Sequence, residues 1–202
     1  MNSSSTTAIP RRGRPAGASR EDVLGAAMHR YLRGQRVDVQ AIASELGLGR
    51  TTIYRWFGSR EGLIGEVLVR AAKPLLEEAR AAARGRGGRR LLATFDRFNR
   101  SVAEAPALRQ FVGQERDAAR IITSDTGKVR PRIVAMIVEL IEDEVRAGNY
   151  QPPVEPATLG YAIVRLGEAF LYNDPATGIR GDVERLLEVE AALLGVSAAR
   201  AS

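Results

Sequence analysis

The chain of 202 residues contains no cysteine and a single histidine, His29. The first absence excludes disulfides, thiolate zinc sites and thiol catalysis. The second removes most metal sites and any Ser-His-Asp arrangement that does not use His29. No apolar run approaches the roughly 20 residues that span a bilayer, and Met1 to Thr7 are polar, unlike the apolar stretch of a secretory signal. A cytoplasmic protein without membrane association is therefore expected. A nucleophile beside a base, a Gly-rich phosphate loop and a carboxylate cluster facing an electrophile are all missing as well, so neither catalysis nor a cofactor or metal is expected. Period-2 alternation of apolar residues is also absent, which leaves an all-α protein. The 45% of apolar residues is enough to bury a core.

What is present is positive charge in one place. The net charge is +6. Residues 1–60 hold ten Lys and Arg against four Asp and Glu, whereas residues 61–202 hold twenty of each. A basic segment on an electrically balanced body is the footprint of a polyanion-binding module attached to a neutral partner domain; a basic tail kept for solubility is the plainer reading.

Residues 1–18 carry Ser, Thr, Pro, Gly and Arg with little to bury and read as a flexible basic arm. Arg11, Arg12 and Arg14 in that arm are candidates for minor-groove or phosphate contact, with a solvated tail as the alternative. Ser19 is placed to cap a first helix, with Asp22 reaching back to it, and that helix ends near Gly34. Asp38 caps a second, short helix ended by Gly47; a third runs from Arg50 to Phe57. Ser59 starts a long fourth helix toward Arg84, which Pro74 should kink or divide. Beyond Gly85 to Gly88, helical spacing recurs over about 89–104, 106–121, 128–147, 156–173 and 180–195.

The segment Asp38 to Phe57, DVQAIASELGLGRTTIYRWF, has two short helices joined by a tight glycine-containing turn. Apolar positions occur only where the helices must clasp each other, as in a helix-turn-helix whose second helix enters the major groove of DNA. That helix needs an apolar back, here Ile53, Trp56 and Phe57, and a polar cationic front, here Arg50, Thr51, Thr52, Tyr54 and Arg55. Arginine pairs bidentately with guanine or holds a phosphate, and hydroxyls reach phosphates and base edges. The competing reading is an ordinary helical hairpin with a solvated cationic face.

These residues resemble the N-terminal domain of TetR-family regulators. In that family the recognition helix typically ends in Tyr-x-x-Phe, followed by Ser-Lys-Glu or a close variant and a leucine. Here the run TIYRWFGSREGL, Thr52 to Leu63, stands in that place, and the resemblance covers about residues 19–70. It implies an all-α homodimer that binds a double-stranded, pseudo-palindromic operator and releases it when a small-molecule effector enters the C-terminal domain. It further implies phosphate contacts at Tyr54 and at Arg60, which replaces the usual lysine. It places Arg50, Thr51 and Thr52 at the groove and Gln40 against the backbone. Two departures stand out: the link before Ile42 is one residue shorter than usual, and Gly49 replaces a common serine cap. The division implied is an arm at 1–18, a helix-turn-helix domain at 19–66 and a ligand-binding and dimerisation domain at 67–202. A non-specific architectural DNA-binding protein is the alternative function.

In the C-terminal half the segment IVRLGEAFLYND, Ile163 to Asp174, resembles regulators of quorum-signal degradation, which implies a lactone or a similar amphipathic effector. The residues themselves leave alternatives open. Phe95, Phe98, Phe111 and Met136 fall at helical spacing and suit either core or pocket lining. Tyr161, Arg165, Glu168 and Tyr172 form a stripe that suits a solvated face, a dimer-interface ion pair or the polar edge of a pocket. The last helix has more apolar surface than sealing a monomer needs, and with its predecessor it is the candidate dimer interface.

Overall fold

Ser19 accepts a hydrogen bond from the amide of Asp22 at 3.2 Å while the Asp22 carboxylate accepts from the Ser19 amide at 2.7 Å. This reciprocal cap starts α1 (Arg20–Leu32). The computed structural model describes residues 17–172 and 182–197. Arg11, Arg12 and Arg14, the side chain of Tyr172 and the turn expected over 173–181 lie outside the described residues. Asp38 caps α2 (Val39–Glu45) by accepting from the amides of Gln40 and Ala41. Gly47 turns the chain at φ +64°, where a side chain would be strained. Next come α3 (Arg50–Phe57) and α4 (Arg60–Ala82), the latter capped by the Ser59 hydroxyl, which accepts from the amide of Gly62 at 3.0 Å.

The second half comprises α5 (Gly87–Glu104), α6 (Pro106–Gln114), α7 (Ala118–Thr123), α8 (Val129–Arg146), α9 (Pro156–Tyr172) and α10 (Val183–Leu193). No strand occurs among the described residues, and no helix among them is long and apolar enough to cross a membrane.

Two elements differ from expectation. Pro74 does not divide α4, which runs unbroken from Arg60 to Ala82. Pro74 and Arg70 are both exposed, so the Arg70 carbonyl that loses its helical donor meets water instead. The single helix expected over 106–121 is two, because the chain extends at Glu115 (φ −98°, ψ 113°). Glu115 there binds Arg60 at 2.6 Å, a tertiary contact that helical periodicity does not report.

Two apolar cores result. The first joins Val23, Ala27, Ile42, Ile53, Phe57, Leu63 and Val67 with Ile121, Ile122 and Val129. It therefore crosses the division expected at residue 66. The second gathers Leu76, Leu91, Phe95, Ile137, Ile141, Leu159, Ile163 and Leu194 from α4, α5, α8, α9 and the residue after α10. Glu66 stitches the seam: buried in α4, it accepts from Arg20 of α1 at 3.1 Å and from both terminal nitrogens of Arg132 of α8 at 2.6 and 3.0 Å. In the second core Glu144 accepts from the Gly87 amide at 2.8 Å and from Arg90 at 2.9 Å, which fixes the start of α5.

Candidate nucleic-acid interface and interior cavity

The back of α3 is held from within. Ile53 and Phe57 are buried, Trp56 is half-buried, and the Arg20 guanidinium stacks over the Phe57 ring 4.6 Å from its centroid. Leu48 in the turn donates its amide to the Ala43 carbonyl at 2.8 Å, locking α2 to the start of α3. This fixes which side of α3 is left over. Arg50, Thr51, Tyr54 and Arg55 are exposed and Thr52 is half-buried. Gln40 is exposed at the start of α2. Among the described residues neither Arg50 nor Arg55 has an acidic partner, so two guanidinium groups stand on the front of α3 with no internal counterion. Gly49 provides no side-chain cap, as expected from its type.

Arg60 is placed differently. Its Nε donates to the Val37 carbonyl at 3.0 Å and its terminal nitrogen pairs with Glu115 at 2.6 Å. In this structure it therefore ties the start of α4 to the end of α6. Tyr31 of α1 makes a neighbouring link, its ring edge-on to Phe111 of α6 with centroids 6.3 Å apart. Burial pushes the Tyr31 hydroxyl up to about 12, so it is neutral at physiological pH.

Between the second half of α4 and helices α5, α8, α9 and α10 lies a cavity of about 120 Å³. Its wall is mainly apolar, including Leu75, Phe95, Phe98, Ile133, Ile137 and Ile163. Four polar side chains interrupt it: Asn99, Arg130, Glu168 and Glu190. Arg130 is buried and bidentate to Glu168 (Nε at 2.8 Å, a terminal nitrogen at 2.7 Å), with a further bond to Asp125 at 2.7 Å. Those acceptors hold the guanidinium firmly in its charged form. Asn99 donates to Glu190 Oε1 at 3.0 Å. Glu190 is 1% exposed, and its Oε2 has no hydrogen-bond partner.

Of the effector-site candidates, the cavity brings together Phe95, Phe98 and Glu168. Phe111 instead packs on Tyr31, and Met136 is half-buried against the second core away from the cavity wall. Tyr161 is 44% exposed on the outer face of α9, with Arg165 stacked above its ring. These four depart from expectation because periodicity gives a residue's face on its own helix and not what that face meets. Asn99, Arg130 and Glu190 escaped notice, although a signal existed. Glu190 interrupts the apolar row Leu186, Glu190, Leu194, and Asn99 interrupts Phe95, Asn99, Val102. A polar residue within an inward-facing row marks a buried polar site.

Similarity to known proteins agrees with this arrangement. Residues 33–67 match the family model of bacterial regulatory proteins, tetR family, and residues 86–195 match that of the tetracyclin repressor-like C-terminal domain. No curated protein matches the sequence. Among solved structures, the R. erythropolis transcriptional repressor QsdR from the TetR family superposes with a TM-score of 0.82 at 29% identity, covering 91% of this chain and 97% of that one. The TetR-family repressor AlkX from Dietzia sp. gives 0.57 at 23% identity over 88% and 97% of the two chains, a likeness of fold. The C-terminal match alone spans more than half of the sequence, and the chain belongs to the TetR family of DNA-binding transcriptional regulators.

Proposed function

We propose that the protein is a homodimeric repressor that leaves its operator when a small, mostly apolar molecule fills the interior cavity. The observation that carries the proposal is the cavity itself: an apolar chamber with buried polar groups in its wall, in a chain whose other half presents an uncompensated cationic helix. The exposed Tyr161 on α9 and Val189 on α10 support a dimer through those two helices, since isolated apolar side chains there gain cover from a partner copy. In such a dimer the two copies of α3 enter successive major grooves about 34 Å apart. Arg50, Thr51, Thr52, Tyr54 and Arg55 contact base edges and phosphates, Gln40 contacts the backbone, and Arg11, Arg12 and Arg14 reach the duplex from the arm.

Release follows if the liganded state holds the two α3 helices at a different spacing. A contiguous route supports this coupling. Leu108 of α6 borders the cavity, Phe111 of the same helix meets Tyr31 of α1, and Glu115 at its end holds Arg60, one residue from the Ser59 cap and three from Phe57 of α3. The test is to form the complex with DNA from upstream of the protein's own gene, add small apolar compounds including lactones, and follow release by fluorescence anisotropy. Release by a compound that binds the free protein supports the proposal. A complex that no cavity-binding compound disturbs contradicts it. A non-specific architectural binder would hold every duplex alike and respond to no compound.

A further inference from the structure

Burying a carboxyl in an apolar wall is unfavourable unless its oxygens find partners. Glu190 has found one partner for two oxygens. Asn99 Nδ2 occupies Oε1, Oε2 is left without a partner, and both residues line the cavity. The other buried acids differ in this respect. Glu66 is bound by Arg20 and Arg132, and Glu144 by Gly87, Arg90 and Asn149. Arg130, the cationic group in the same wall, is already occupied by Glu168 and Asp125.

We infer that Glu190, held by Asn99, is the polar anchor for the cavity's ligand, and that the ligand is a neutral, otherwise apolar molecule carrying a hydrogen-bond acceptor such as a carbonyl oxygen. The assignment rests on the sensor reading of the cavity. With Oε1 accepting from Asn99, a carboxylic acid carries its proton on Oε2, so the side chain presents an O–H donor to the ligand. Burial pushes the Glu190 carboxyl up to about 8, and the nearby Asp96 pushes in the same direction, which keeps the acid neutral at pH 7.

The charged groups around it leave that state in place. On α5, Arg100 is bound to Asp96 and to Glu184 of α10. On α8 and α9, Arg130 is bound to Glu168, and Arg165 is exposed beyond them. Arg185 of α10 is exposed and pairs with Asp182. A cationic ligand would need an ionised Glu190, and an anionic one would meet Glu168 and Glu190 together. The cavity has room for roughly ten water-sized groups.

The experiment uses the full chain, with 2-nonanone and nonylamine as probes of equal size, titrated by calorimetry at pH 7 and pH 9. The inference predicts that the ketone binds at pH 7, more tightly than the amine, and about tenfold more weakly at pH 9, because only the neutral acid is competent. Glu190→Gln retains one acceptor for Asn99 and one donor for the ligand, so it should bind the ketone with no such pH dependence. Glu190→Leu should weaken the ketone at least tenfold at pH 7. Ketone affinity equal at pH 7 and pH 9 in the native chain, tighter binding of the amine, or no ketone binding overturns the inference, whether or not the leucine variant folds. Operator release is read on the same samples. Ketone binding without release contradicts the repressor reading and leaves the assignment of Glu190 standing. Release by another compound, with no ketone binding, overturns the assignment alone.

Discussion

From α1 through the first half of α4 the interior is apolar and the polar residues that meet a partner point outward; from α5 onward the interior itself contains Thr94, Asn99, Arg130, Glu144 and Glu190. Glu66, at the seam, is the one buried charge of the first region among the described residues, and it is held by arginines from both sides. The contrast follows from what each region has to contact. A helix that reads DNA must be rigid behind and polar in front, so its chemistry sits on the surface. A chamber that discriminates among small molecules must place its polar groups inside, where an unpaired one costs on the order of 1–3 kcal/mol and each paired one depends on its partner.

The largest effect that tests this contrast is expected at Arg130. Arg130→Met leaves Glu168 without its bidentate partner in a mostly buried site, and urea denaturation should show a loss of about 3–5 kcal/mol. Replacing Glu168 by Met as well should recover much of that loss, since the isolated charge and not the missing pair is the main penalty. A single variant destabilised by less than about 1 kcal/mol would mean that the interior charges of the second region are solvated after all.

The next effect is pH-dependent. The folded chain holds the Glu190 proton up to about pH 8, whereas the unfolded chain releases it near the ordinary value of 4.5. Between those limits the folded state binds more protons, so Glu190 removes stability as pH rises. Glu190→Gln lacks this loss. It should match the native chain near pH 4 and exceed it by on the order of 3 kcal/mol at pH 8, read from paired urea titrations. A difference that is flat across that range would contradict the raised titration.

Surface changes in the first region should behave in the opposite way, altering function and sparing stability. Arg50→Ala should weaken operator binding by about 1–3 kcal/mol if it reads a base pair and leave unfolding unchanged within about 0.5 kcal/mol. Smallest is the cap at Asp38, where alanine should cost about 1 kcal/mol of stability. The amides of Ala41 and Gln40 hold the Asp38 carboxyl below its ordinary range. The cap's contribution is therefore present at neutral pH and fades as acid protonates it, so the two chains should converge at low pH.

The same contrast explains how much the sequence disclosed. Ser19, Asp38, Gly47 and Ser59 are local signals whose partners lie within a few residues, and α1 to α3 begin and end where those residues place them. The exposed front of α3 was legible for the same reason. The Arg60–Glu115 pair spans 55 positions and the Asn99–Glu190 pair 91. No periodicity within one helix carries such information, so the break between α6 and α7 and the polar end of the cavity emerged only with the fold. Phe95 and Phe98 were identified as apolar-face residues, and Phe111 and Met136 equally so; only tertiary packing separates the pair on the cavity from the pair off it.

The central claim, that α3 is a sequence-reading helix, is tested most directly by fluorescence anisotropy with a labelled duplex from upstream of the protein's own gene beside a scrambled duplex at one fixed salt concentration. The account predicts a preference for the upstream duplex of about a thousandfold or more, reduced when Arg50 is replaced by alanine. Binding to neither duplex, or a preference that survives removal of Arg50, Tyr54 and Arg55 together, would contradict it.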